Sequence, residues 1–132
     1  SAEFNPKSKD QIIHVNPTQT KNIKDNKYGG TMRLGSYKVE FAQESITQKA
    51  YNSPEASERH RHRYEFNNKY KYAIENAGMK IVGVNPETNL VEVVELANHP
   101  FFVGVQYHPE FKSHPENAHP LFKKLIEVGL KT

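Results

Sequence analysis

The sequence predicts an α/β fold, and three observations carry that expectation. Tyr37-Lys38-Val39-Glu40-Phe41 alternates apolar and polar residues with the two-residue period of a half-buried strand. Three short apolar runs, Met79–Val84, 90–96 and 101–107, follow one another at strand length. The last stretch, 120–130, places Leu121, Phe122, Leu125 and Ile126 on one helical stripe.

Residues 1–30 are rich in Asn, Lys, Pro, Asp and Gly and read as mostly loop, with one short strand near 12–15 in Ile12-Ile13-His14-Val15. The α/β core is expected over 31–132, with Gly35-Ser36 bending the chain between Met32-Arg33-Leu34 and the strand at Tyr37. A short helix is expected over 45–51, and Ser53-Pro54-Glu55 has the pattern of a cap followed by proline at the first helical position. Residues 59–66 alternate again. If extended, they put His60, His62, Tyr64 and Phe66 on one side and Arg59, Arg61, Arg63 and Glu65 on the other. Asn67 or Asn68 then caps a helix through Ala77, with Tyr70, Ile74 and Ala77 packed inward, and Gly78 ends it. The runs at Met79–Val84 and 90–96 flank Asn85-Pro86-Glu87-Thr88-Asn89 and read as a hairpin. The run 101–107 is almost continuously apolar, as a strand covered on both faces would be.

A chain of 132 residues has the size of one domain with a single modest core. Its 36% apolar content includes seven Tyr and seven Phe, which fits a folded domain with a polar surface. A net charge of +3 is too small and dispersed to argue for nucleic acid as a partner. No apolar run reaches the roughly 18 to 20 residues that cross a bilayer, and the first residues lack a signal-peptide pattern, so a cytoplasmic protein with no membrane partner is expected. The absence of Cys removes disulfides, Cys-type zinc sites and thiol catalysis from this chain.

The run Gly104-Val105-Gln106-Tyr107-His108-Pro109-Glu110-Phe111 carries the chemistry. Pro109 pushes His108 towards extended geometry, so His108 and Glu110 can project together and hydrogen-bond. Such a pair is two-thirds of a catalytic triad, with an imidazole base and a carboxylate that orients it. It is equally readable as a solvated surface turn. Its chemistry needs a nucleophile, which a chain without cysteine cannot supply as a thiol.

Several motifs in one order resemble the last half of the glutamine amidotransferase domain of the CTP synthase family. They are Glu3-Phe4, Gly29-Gly30-Thr31-Met32-Arg33-Leu34-Gly35, Glu58-Arg59-His60-Arg61-His62-Arg63-Tyr64-Glu65, Asn98-His99-Pro100 through Pro109-Glu110-Phe111, and His119-Pro120-Leu121-Phe122. The resemblance implies the C-terminal portion of a class I, flavodoxin-like amidotransferase domain with mixed strands and a C-terminal helix. It implies His108 as catalytic base and Glu110 as its carboxylate partner. The cysteine nucleophile, the oxyanion-hole segment and the synthetase domain would lie on chain outside these residues. It further implies a homotetrameric parent that aminates UTP to CTP with ATP and Mg in the synthetase domain, and no cofactor in this chain. The alternative reading is a non-catalytic binding or regulatory module derived from such a domain.

Glutamine is a zwitterion, so its site should offer a carboxylate and a guanidinium. The resemblance assigns these to Glu3 and Arg63, and links Arg33 to allosteric activation by GTP. Without the resemblance Glu3 and Arg63 are routine surface charges and Arg33 is a turn-stabilising arginine. His60 and His62 could chelate a metal, but no third ligand at a suggestive spacing accompanies them, and no metal is expected. Half of an α/β domain should also expose apolar surface where the other half belongs.

Overall fold

The structure, a computed structural model, describes residues 1–15 and 32–131. Gly29, Gly30 and Thr31 lie outside the described residues, and so does the expected start of order at Thr31. The elements in chain order are β1 (Ile13–Val15), β2 (Arg33–Phe41), α1 (Ile46–Tyr51), β3 (Glu55–His62), β4 (Tyr64–Phe66), α2 (Lys71–Asn76), β5 (Met79–Val84), β6 (Val91–Leu96), β7 (Val103–Val105) and α3 (Pro120–Gly129). Short 3₁₀ turns cover Asn68–Tyr70 and Pro109–Lys112. β3, β2, β5, β6 and β7 form one antiparallel sheet in that order, and β1 pairs with β4 in a small second sheet.

β2 is longer than the alternating segment alone. Its ladder runs through Gly35, opposite His60, and Ser36, opposite Arg59, so the strand is not interrupted at Gly35-Ser36. Gly35 departs locally from the extended backbone with φ +96°, a conformation that costs glycine little. Ser45 caps α1 by accepting from Gln48 N, and Asn52 ends it in the left-handed region. The expected helix at Ser53-Pro54-Glu55 is instead the entry to β3. The Ser53 hydroxyl bonds both the carbonyl and the N–H of Glu55, and Glu55 pairs with Glu40. Asn67 caps the turn that leads into α2, and Gly78 closes it at φ +99°. Ala77 is exposed and Tyr70 and Ile74 are half-buried, so α2 contributes less to the core than its pattern implied.

β5 and β6 form the expected hairpin. Buried Asn85 organises its turn, accepting from Glu87 N, Thr88 N and Thr88 Oγ1 while donating to Lys38 O. β7 is shorter than the apolar run 101–107, spans three half-buried residues and lies at an edge of the sheet. The core comprises Val39, Phe41, Val82, Val93, Tyr107 and Leu121, with Tyr51 and Phe101 packed against it. On α3 only Leu121 of the predicted stripe is buried, while Phe122, Leu125 and Ile126 are 39%, 50% and 62% exposed. No helix among the described residues is long and apolar enough to cross a membrane.

The sheet curls until its two edges meet. His108, three residues beyond β7, donates its backbone N–H to Arg59 O on β3 at 2.9 Å. Beneath this seam lies a layer of buried charge. Arg33, 6% exposed, sets one Nη 3.5 Å from Glu65 Oε2, sets the other 2.5 Å from Glu92 Oε1, and lies 4.4 Å over the Tyr37 ring. The second contact is ionic rather than an aligned hydrogen bond. His62 Nδ1 sits 3.0 Å from Tyr64 O, which can only accept, so the neutral ring donates there and Nε2 accepts. His60 Nδ1, 2.7 Å away, therefore donates, and its bare Nε2 faces Glu92 Oε2 at 3.7 Å.

Burial and the Arg33 charge push His60 down to about 3 and His62 to about 4. Burial pushes Glu65 up to about 7 and raises Glu92 as well. Both imidazoles are thus neutral, and a protonated Glu92 would supply the donor that His60 Nε2 lacks. A second cluster ties the helices in. Tyr51 Oη donates to Glu58 Oε1 (2.9 Å) and lies 3.1 Å from Tyr107 Oη. His119 Nδ1 accepts from Leu121 N and so caps α3, leaving its Nε2 proton for Glu58 Oε1 at 3.2 Å.

Two expected outcomes follow from this packing. A Cβ at Gly83 would lie 2.5 Å from Val93 Cγ2 and 2.7 Å from Val93 Cβ, so Gly83→Ala should lower the unfolding free energy in urea by about 1–3 kcal/mol. An unchanged midpoint would contradict the β5–β6 packing. Glu65, facing Arg33, Glu92 and His62, holds in the folded state a proton that the unfolded chain loses above its ordinary 4.5. Its contribution to stability is fully present below 4.5 and falls as pH rises to about 7. Glu65→Gln should therefore gain stability relative to the wild type between pH 5 and pH 8, and a pH-independent difference would count against the buried, protonated carboxyl.

Candidate active site

The chain leaves β7 with Gln106 N bonded to Glu92 O, then Tyr107 buried in the core, then His108 at the surface. His108 has the extended backbone that a following proline demands, with φ −110° and ψ 91°. Pro109 starts the 3₁₀ turn, whose bonds run from Phe111 N to His108 O (3.1 Å) and from Ser113 N to Glu110 O (3.4 Å). This turn brings Glu110 Oε1 to 2.7 Å from His108 Nδ1.

A carboxylate accepts, so the proton of a neutral His108 belongs on Nδ1 and Nε2 presents a lone pair. The hydrogen bond from His108 holds the Glu110 carboxyl below the usual range, helped by a bond from Glu110's own backbone N–H. Glu110 is therefore ionised at neutral pH and can stabilise an imidazolium. The Phe111 ring stacks on the imidazole, centroids 4.6 Å apart and planes 14° apart. Lys112 Nζ bonds Ser57 O at 2.6 Å, fastening the end of the turn to β3.

Glu3 and Arg63, sixty residues apart, line one open cleft of about 590 Å³ with Ile13, Met32, Arg61, His62, Tyr64 and Gln106. The small sheet explains how they meet. Ala2 N donates to Ile13 O (2.8 Å), laying the first residues along β1, and β1 pairs with β4 directly after Arg63. His108 does not line the cleft, although Gln106, two residues before it, does.

Arg33 is not at this surface. Its guanidinium points inward, against Glu65 and Glu92, where a nucleotide would compete with those carboxylates. His60 and His62 bond each other, and no group of three His, Cys, Asp or Glu among the described residues could hold a metal ion.

Sequence reasoning missed the carboxylates underneath, Glu58, Glu65 and Glu92, all 1% exposed or less. Extending the alternation of His60 and His62 back two residues would have found Glu58. Glu65 escaped because Arg63 separates β3 from β4, and the alternation that put Glu65 outside does not cross that break.

Comparisons with known proteins show the family to which the chain belongs. The family model for class-I glutamine amidotransferases matches residues 11–128. CTP synthases of Treponema denticola and Flavobacterium johnsoniae are 51% and 50% identical over 98% of this chain. The chain spans only 24% of the length of each of these relatives. Among solved structures, the glutaminase domain of Trypanosoma brucei CTPS with bound acivicin superposes with a TM-score of 0.87 at 36% identity, covering 100% of this chain and 50% of that one. The chain belongs to the class-I glutamine amidotransferase family.

Proposed function

We propose that this chain is the base-bearing part of a CTP synthase glutaminase, and the 2.7 Å contact between His108 Nδ1 and Glu110 Oε1 carries the reading. In it, His108 Nε2 removes the proton of a cysteine thiol, the thiolate attacks the glutamine side-chain amide, and His108 returns the proton to the departing ammonia. Glu110, ionised beside it, keeps the proton of neutral His108 on Nδ1 and stabilises the imidazolium between these steps. The thiol and the oxyanion-hole donors come from chain outside these residues. The ammonia then aminates UTP at the expense of ATP, with Mg, in a synthetase domain of the parent protein.

The cleft supports the substrate assignment. Glu3 suits the ammonium of glutamine and Arg63 suits its carboxylate, the complementary pair that a free amino acid needs. GTP acting through Arg33 would have to compete with Glu65 and Glu92, so its effect would be felt on β4 and β6, which carry those residues.

This 132-residue chain should show no glutaminase turnover alone and should gain it when the cysteine-bearing segment is supplied. Turnover by the chain alone would refute the shared triad. In the full enzyme, His108→Ala should lower glutamine-dependent synthesis by at least roughly a hundredfold while sparing ammonia-dependent synthesis. Equal loss of both activities counts against His108 as the base. Arg63→Ala should raise KM for glutamine about tenfold or more, the scale of one lost charge-assisted hydrogen bond, with little change in the ammonia-dependent rate.

A further inference from the structure

A single hydrogen bond does not fix an imidazole. The contact of His108 Nδ1 with Glu110 Oε1 pins one atom, but the sp³–sp² torsion that turns the ring has a broad, two-fold profile, so the ring plane can still swing about that anchor. The pair sits at the surface rather than in the core, the side chains of His108 and Glu110 being 35% and 56% exposed. Nε2, the atom that must meet the nucleophile, lies on the far side of the ring and would travel furthest.

We infer that Phe111 is the positioning residue for the catalytic imidazole, supplying through its stack on His108 the restraint on ring plane that Glu110 cannot. The inference rests on His108 acting as the base. A 3₁₀ turn has three residues per turn, so residues i and i+3 eclipse. The bond from Phe111 N to His108 O sets that spacing here and lays one ring over the other. At 4.6 Å between centroids and 14° between planes, tilting the imidazole would drive it into the phenyl face or open a gap beside it. The two restraints are complementary, one acting in the ring plane and the other across it.

The stack also follows the charge. When His108 accepts a proton, the imidazolium lies over the electron-rich face of Phe111 while Nδ1 still donates to Glu110. Phe111 is 40% exposed, and its one aromatic contact among the described residues is with His108. Core packing does not account for it.

The test uses Phe111→Leu, which keeps bulk without a π face, and Phe111→Tyr, which keeps the face. In NMR spectra of the 132-residue chain, the His108 ring protons should lose their ring-current displacement in Phe111→Leu and keep it in Phe111→Tyr. In enzyme rebuilt from this chain and the cysteine-bearing half of a class-I relative, Phe111→Leu should lower kcat for glutamine roughly tenfold to hundredfold with KM within about twofold, and Phe111→Tyr should restore it. Wild-type kcat in Phe111→Leu, or a change confined to KM, overturns the inference and leaves the base assignment standing. A His108→Ala control that still hydrolyses glutamine removes the base assignment itself. Matching thermal midpoints of the two variants separate positioning from folding.

Discussion

Three carboxylates with essentially no solvent contact, Glu58, Glu65 and Glu92, set the terms on which this fold can close. An isolated ionised carboxylate in a protein interior costs far more than any one packing contact returns, so each must find a cation, a donor or a proton. Glu65 and Glu92 converge on Arg33, which draws β2, β4 and β6 together. Glu58 takes Tyr51 and His119, which fastens α1 and the cap of α3 to β3. Removing one partner from such a cluster would leave a buried charge or donor unanswered.

The proposed site sits on this buried layer without being part of it. β3 faces both ways: Glu58 and His60 point inward, while the carbonyl of Arg59 between them receives the backbone N–H of His108. Tyr107 is anchored through Tyr51 one residue before His108, and Lys112 reaches Ser57 from the end of the turn. A short surface turn thus gains the backbone precision of the sheet beneath it. The imidazole stays partly open to solvent, its side chain 35% exposed.

How much of this was legible in the sequence depended on the range of the interaction. β5, the β5–β6 hairpin, the short helix α1 and the proline-led α3 were readable because their determinants lie within a few residues. The pairing of His108 with Glu110 was readable for the same reason. Ser53-Pro54-Glu55 was misread because a serine ahead of a proline suits a helix entry and a strand entry alike, and only pairing across to Glu40 decides between them. The stripe on α3 predicts a buried face, yet burial depends on what packs there, and here only Leu121 is buried. Buried Glu65 and Glu92 were least legible, since a glutamate among valines looks like a surface alternation until Arg33, some thirty or sixty positions away, is placed beside it.

The same distinction of range separates the two halves of the proposed site. His108, Glu110 and Phe111 fall within four residues and are held by one 3₁₀ turn, so the imidazole, its carboxylate partner and its stacked ring assemble whenever that turn forms. The cleft is different, because Glu3 reaches Arg63 only through the first residues lying along β1 and the three-residue ladder of β1 with β4. A two-stranded sheet that short has little stability of its own. The turn at His108 is therefore the locally determined part of the proposed site and the cleft the contingent part, so conditions that loosen β1 should disturb the cleft before they disturb the pairing of His108 with Glu110.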